Sequence, residues 1–130
     1  MIERFGSEAP WESVVGYSRA VLAGPWLEVS GTTAIRDGEL VCPGDPYGQA
    51  RQALVNIEAA LRLAGARLSD VVRTRMYVTD ITRWPEVARA HAEFFADIRP
   101  ATSMVEVASL LDPLMEVEVE ASAYVAERAS

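Results

Sequence analysis

The chain is poor in the residues that build covalent and metal-bound frameworks. Among 130 residues there is one cysteine, Cys42, and one histidine, His91. A single thiol forms no intramolecular disulfide, which excludes a disulfide-stapled secreted scaffold. One His and one Cys do not supply the usual ligand set of a zinc site. No apolar run reaches membrane-spanning length, and the opening stretch MIERFGSEAPWESVV lacks the basic-then-apolar order of a signal peptide. Basic residues are also scarce: 12 Lys and Arg against 19 Asp and Glu leave a net charge of −7. That balance argues against nucleic acid, whose phosphates reward Lys and Arg. No Gly-rich phosphate loop is present. These absences predict a cytoplasmic protein without metal, organic cofactor, nucleic-acid partner or membrane partner.

What is present is an ordinary globular composition, 50% apolar and 24% charged. A chain of this length buries about two-thirds of its unfolded surface, enough for one core. No repeat or low-complexity tract interrupts it, so residues 1–130 read as a single domain.

The periodicity predicts the elements. Residues 18–23 (SRAVLA) and 26–33 (WLEVSGTT) flank Gly24-Pro25, and the second run alternates, as expected for a hairpin. Asp37-Gly38 predicts a turn leading to a short strand at 39–41. Asp45-Pro46 supplies a cap and a first helical position. From Tyr47 to Ala64, Ala50, Ala53, Leu54, Ile57, Leu61 and Ala64 recur at intervals of three and four, which predicts a helix stopped by Gly65. Residues 71–79 read as a β-branched strand and 85–97 as a second helix broken by Arg99-Pro100. Residues 102–107 and 115–125 complete the set as strands. The order β-β-(β)-α-β-α-β-β predicts an α+β domain of two layers, a six-stranded sheet with both helices on one face. Arg73, Arg75 and Tyr77 share one face of their strand, and Glu116, Glu118 and Glu120 share one face of theirs. Such a face is either solvated, with cross-strand ion pairs, or lines a cleft between subunits.

Several blocks in this order resemble the RidA/YjgF (reactive intermediate deaminase) family: Gly16-Tyr17, Val29-Ser30-Gly31, QARQALVNIEAALRLAGARLSDVVRTRMYVTDI (49–81), EFF (93–95), RPATSMVEV (99–107) and EVEVEA (116–121). The resemblance covers about residues 14–125. It implies a chorismate-mutase-like fold, a homotrimer whose sheets surround a central barrel, and small-molecule clefts between subunits. The better-known members hydrolyse enamines and imines to ketones and ammonia, without metal or organic cofactor. The family pattern places an Arg two residues before a frequent Cys. Here those positions hold Thr102 and Met104. A 2-imino acid needs a cation for its carboxylate, ideally a bidentate Arg. Replacing that pair by a neutral hydrogen bond loses about 1–2 kcal/mol. The chain therefore resembles an Arg-lacking branch. It is expected either to act on an enamine or imine without a carboxylate, or to bind a small metabolite without turnover.

By the same resemblance Glu118 is the acidic residue that orients the attacking water, with Thr102 anchoring the substrate. Glu118 read without the resemblance is equally an interface carboxylate. Tyr17 corresponds to a cleft tyrosine or an interface aromatic, and Ser30-Gly31 to a pocket-shaping block or a strand bulge. Trp84 corresponds to a cleft wall or a staple over the helix start. Ala88 stands where many deaminating members carry Asn. With Met104 it predicts a ligand more hydrophobic than a small imino acid. Arg75 or Arg99 could replace the missing cation, or be a partner of Glu118 or Glu120 and a solvated post-helix residue respectively. His91, one turn from both Val87 and Phe95, reads as a packing residue, and Cys42 as a free thiol.

Overall fold

The computed structural model describes residues 1–128. Strands β1 (Ile2–Phe5), β2 (Ala20–Ala23), β3 (Trp26–Thr32), β6 (Val71–Val78), β7 (Ala101–Glu106) and β8 (Val117–Tyr124) form one sheet in the order β1-β2-β3-β8-β6-β7. Strands β4 (Ile35–Arg36) and β5 (Glu39–Leu40) form a separate two-stranded ribbon. Helices α1 (Pro46–Leu63) and α2 (Trp84–Phe95) complete the domain. The expected α+β architecture is present, with one change in membership. The short strand expected at 39–41 pairs with Ile35–Arg36 across the turn, where Asp37 and Gly38 both take positive φ, 54° and 81°. The sixth strand of the main sheet is instead β1, which runs antiparallel to β2 with Ile2 opposite Ala23 and Phe5 opposite Ala20.

Helix α1 starts where its chemistry dictates. Asp45 caps it by accepting from the Gly48 N–H at 3.0 Å, and Pro46 occupies the first turn, where its missing N–H costs nothing. Its apolar stripe is fully buried: Leu54, Ile57 and Leu61 are 0% exposed. Each such side chain contributes about 1.5–3 kcal/mol by leaving water. The stripe meets the inward residues of β8 (Val117, Val119, Ala121, Ala123) and of β3 (Leu27, Val29). Gln49, also 0% exposed, is the polar exception in this layer. It donates to the Leu114 carbonyl at 2.9 Å and accepts from the Glu116 N–H at 2.8 Å, which ties α1 to the start of β8.

Helix α2 ends as Phe95 caps the core. Arg99 follows with φ 58°, its N–H bonded to the Phe95 carbonyl at 2.8 Å, so the chain reverses into β7 before Pro100. Strands β6 and β7, on either side of α2, are parallel neighbours. Among the described residues no helix is long and apolar enough to cross a membrane.

Candidate functional site

The register of the central strands sorts the candidate residues onto two faces. Val117, Val119 and Ala121 of β8 point into the core, so Glu118 and Glu120 leave the opposite face. On that face Tyr77 lies opposite Glu118 and donates to Glu120 Oε1 at 2.6 Å. Arg75 lies opposite Glu120.

Glu118 meets β3 at an irregularity. The pairing of β3 with β8 is in register at Val29–Ala121, then shifts before Thr32–Val119, leaving Ser30 and Gly31 in a bulge. Both expected readings of Gly31 are therefore compatible, because the bulge is what admits the acid. A Cβ at Gly31 would stand 2.8 Å from Glu118 Cδ and 3.3 Å from Cγ. Glycine is required here by close approach, with no need for a positive φ.

Around this point lies a cavity of about 740 Å³. Tyr17, Ser30, Gly31 and Glu118 all line it, as does Glu120. Ser30 uses its proton internally, donating to the Ser18 carbonyl at 2.7 Å. Burial raises the pKa of Glu118. The neighbouring Glu120 carboxylate pushes it the same way, and the Arg19 guanidinium opposes both.

Arg19 is the site residue that sequence reasoning missed. It is only 8% exposed, and its side chain reaches the bulge. Nη2 donates to the Gly31 carbonyl at 3.0 Å and Nη1 to Thr32 Oγ1 at 3.2 Å. Its carbon Cζ lies 5.4 Å from the centre of the Tyr17 ring, and Glu12 Oε2 is 3.8 Å from Nε. One buried cation thus holds the bulge, the tyrosine and the preceding turn together. The available signal is an Arg inside the apolar run SRAVLA, beside the start of a strand, where a charged side chain is unusual.

The other expected site residues lie elsewhere. Thr102 pairs laterally with Thr74, and Met104 with Met76, on the helix-facing side of the sheet. Thr102 and Glu118 leave opposite faces, with β6 between their strands, so one chain does not bring them together. Trp84 begins α2 and is 55% exposed, and neither it nor Ala88 borders the cavity. Within one chain the apolar wall of this cavity comes from Trp11, Val15, Ile35, Leu63, Leu111 and Met115. Arg99 is exposed and shapes the helix end, and Arg75 stays on the Glu120 face. Neither lines the cavity, and its cation is Arg19. His91 does more than pack, since its Nε2 is 2.8 Å from Thr74 Oγ1. Cys42 is exposed and free.

A six-stranded mixed sheet backed by two helices, with an acid seated on a glycine bulge beside a tyrosine, defines a small α+β domain that carries a cavity against its central strands β3 and β8. The chain belongs to the YjgF/RidA family: the family model described as endoribonuclease L-PSP matches residues 7–125. A solved Mycobacterium tuberculosis protein of the YjgF/YER057c/UK114 family is 53% identical, with a TM-score of 0.88 over 96% of this chain and 100% of that one. An uncharacterized Streptomyces coelicolor protein is 37% identical over 95% of this chain and 92% of its own. The 2-iminobutanoate/2-iminopropanoate deaminase of Escherichia coli is 33% identical over 82% of this chain and 85% of its own.

Proposed function

We propose that the protein hydrolyses an apolar enamine or imine that lacks a carboxylate, in clefts between the subunits of a homotrimer. The observation that carries this reading is Glu118, seated on Gly31 in a largely apolar cavity, its carboxyl raised in pKa by burial. A carboxyl whose proton affinity is raised is a stronger base toward the attacking water. Glu118 accepts a proton from water as the oxygen adds to the carbon of a protonated C=N, passes it to the nitrogen of the carbinolamine, and then takes the hydroxyl proton as the C–N bond breaks, releasing ammonia and the ketone. Tyr17 and the apolar wall enclose the substrate. Because Thr102 and Glu118 leave opposite faces of one sheet, a cleft containing both requires Thr102 of one subunit and Glu118 of the next. Thr102 in place of the family's Arg removes the partner of a substrate carboxylate.

The family description also names an endoribonuclease. A net charge of −7 and the paired carboxylates Glu118 and Glu120 oppose a polyphosphate in the same cavity.

The test generates imines in place. An amine oxidase supplies carboxylate-free imines, an amino-acid oxidase supplies 2-imino acids, and ammonia release is followed with light scattering in parallel. Faster release from the amine-derived imines, sharply reduced in Glu118→Ala, and a trimeric mass are expected. No acceleration over buffer with either set refutes the hydrolase. The replacement of Arg by Thr102 favours one other reading, a metabolite-binding protein. It would appear as a ligand that raises Tm without turnover.

A further inference from the structure

Thr102 stands at the end of a hydrogen-bonded chain. Its Oγ1 donates to the Pro100 carbonyl at 3.1 Å and lies 2.7 Å from Thr74 Oγ1. Thr74 Oγ1 in turn lies 2.8 Å from His91 Nε2. A carbonyl only accepts, and each hydroxyl has one proton. With the proton of Thr102 placed on the Pro100 carbonyl, Thr102 accepts from Thr74. Thr74, its own proton then used, must accept from His91 Nε2–H. Thr74 is 0% exposed, which leaves no room for water to replace either partner. The His91 ring is held against Phe95, with centroids 4.7 Å apart. Burial lowers the pKa of His91, favouring a neutral ring. At the exposed end Thr102 retains one lone pair and no free proton.

We propose that Thr102 is a hydrogen-bond acceptor in the cleft, its hydroxyl oriented through Thr74 by His91, and that it takes an N–H of a cationic, carboxylate-free imine or amine. The proposal deepens the imine reading and rests on it for placing Thr102 in the cleft. An Arg at this position would present only donors and select a carboxylate. A hydroxyl whose proton is already committed presents only an acceptor, and a carboxylate would meet it lone pair to lone pair. The Glu118 cavity, which the imine reading places against Thr102 of the next subunit, favours the same ligand. Glu118, Glu120 and Asp37 face it, while the donors Nη1 and Nη2 of Arg19 are directed to Thr32 and Gly31. His91 and Thr74 are positioning residues, since neither reaches the ligand.

The experiment has two parts, both on the full chain. His91 is the chain's single histidine, so a long-range ¹⁵N–¹H correlation spectrum reports its tautomer without assignment. Protonation at Nε2 is expected, and a neutral ring protonated at Nδ1 would reverse the chain and overturn the proposal. The second part compares n-butylammonium chloride with sodium butyrate by calorimetry. The wild-type chain is expected to bind the ammonium at least about tenfold more tightly. Thr102→Arg is expected to invert that preference. Thr74→Val, which frees the hydroxyl to rotate, should reduce it to within about threefold, and Thr74→Ser should restore it. Equal affinities, or a wild-type preference for butyrate, would overturn the proposal even if Thr74→Val did not fold. Ammonia release without these preferences refutes the acceptor role alone, and these preferences without ammonia release refute the deaminase alone.

Discussion

Gly31→Ala separates the cost to the fold from the cost to the site. Its φ lies outside the left-handed region, so alanine meets no backbone strain, and restricting the unfolded chain contributes about 0.4–1 kcal/mol of stability. Against this, the new methyl would stand 2.8 Å from Glu118 Cδ. Oε2 of Glu118 lies closer still, and ordinary contact begins near 3.5 Å, so the carboxyl must retreat by roughly 1 Å. A side chain driven about 30° off its rotamer loses roughly 0.5–1.5 kcal/mol. The two effects oppose each other, and the net change in stability should stay within about 1 kcal/mol of zero in urea titration. Activity should not be spared, since displacing a reacting group by about 1 Å costs on the order of 100-fold. Ammonia release should therefore fall about 100-fold while the urea midpoint barely moves. On a Glu118→Ala background nothing obstructs the methyl, and Gly31→Ala should cause no further loss of rate. The cycle then reports a coupling of about 2.7 kcal/mol between the two positions. Wild-type turnover in Gly31→Ala would show that the seat of Glu118 is irrelevant to chemistry. A loss of about 3 kcal/mol in stability would show that the carboxyl is locked and that the glycine serves the fold.

Other perturbations follow from single contacts. Glu118→Gln should make the protein more stable than wild type at pH 7, with the gap closing as pH falls below the ordinary carboxylate range. The folded carboxyl has its pKa raised by burial, so wild-type stability declines as pH rises from the unfolded value through the folded one, a decline that Gln lacks and that urea titration across pH would detect. Asp45→Ala removes the acceptor of the Gly48 N–H and should cost about 1 kcal/mol, read as a lower urea midpoint with an unchanged slope. Gln49→Leu leaves the Leu114 carbonyl and the Glu116 N–H without their partner in the core, and should cost about 2–4 kcal/mol in the same assay. A neutral result there would mean that water reaches both groups.

The elements legible in the sequence are those whose signal is local. Helix α1 was expected from Tyr47 to Ala64 and spans Pro46–Leu63, because Asp45, Pro46 and the apolar stripe all act within a few turns. The strand expected at 71–79 is Val71–Val78 for the same reason. Strand β1 was not legible, since IERF carries one short alternation and exists as a strand only by pairing with Ala20–Ala23. Arg19 is not legible for a related reason, as its partners Gly31 and Thr32 belong to the next strand and depend on the bulge. The sharpest gap concerns Glu118 and Thr102. Alternation within a strand shows which neighbours share a face, but it does not relate two strands that never pair. That relation passes through β6: Thr102 lies beside core-facing Thr74, while Glu118 lies beside Tyr77, three residues on and therefore on the opposite face. A motif spanning both positions in sequence is thus divided by the sheet in space. If both residues act on one substrate, diluting the protein until the subunits separate must abolish turnover even though every chain stays folded. Activity that persisted in a folded monomer would confine the chemistry to the Glu118 side of the sheet and leave Thr102, Thr74 and His91 with a structural role alone.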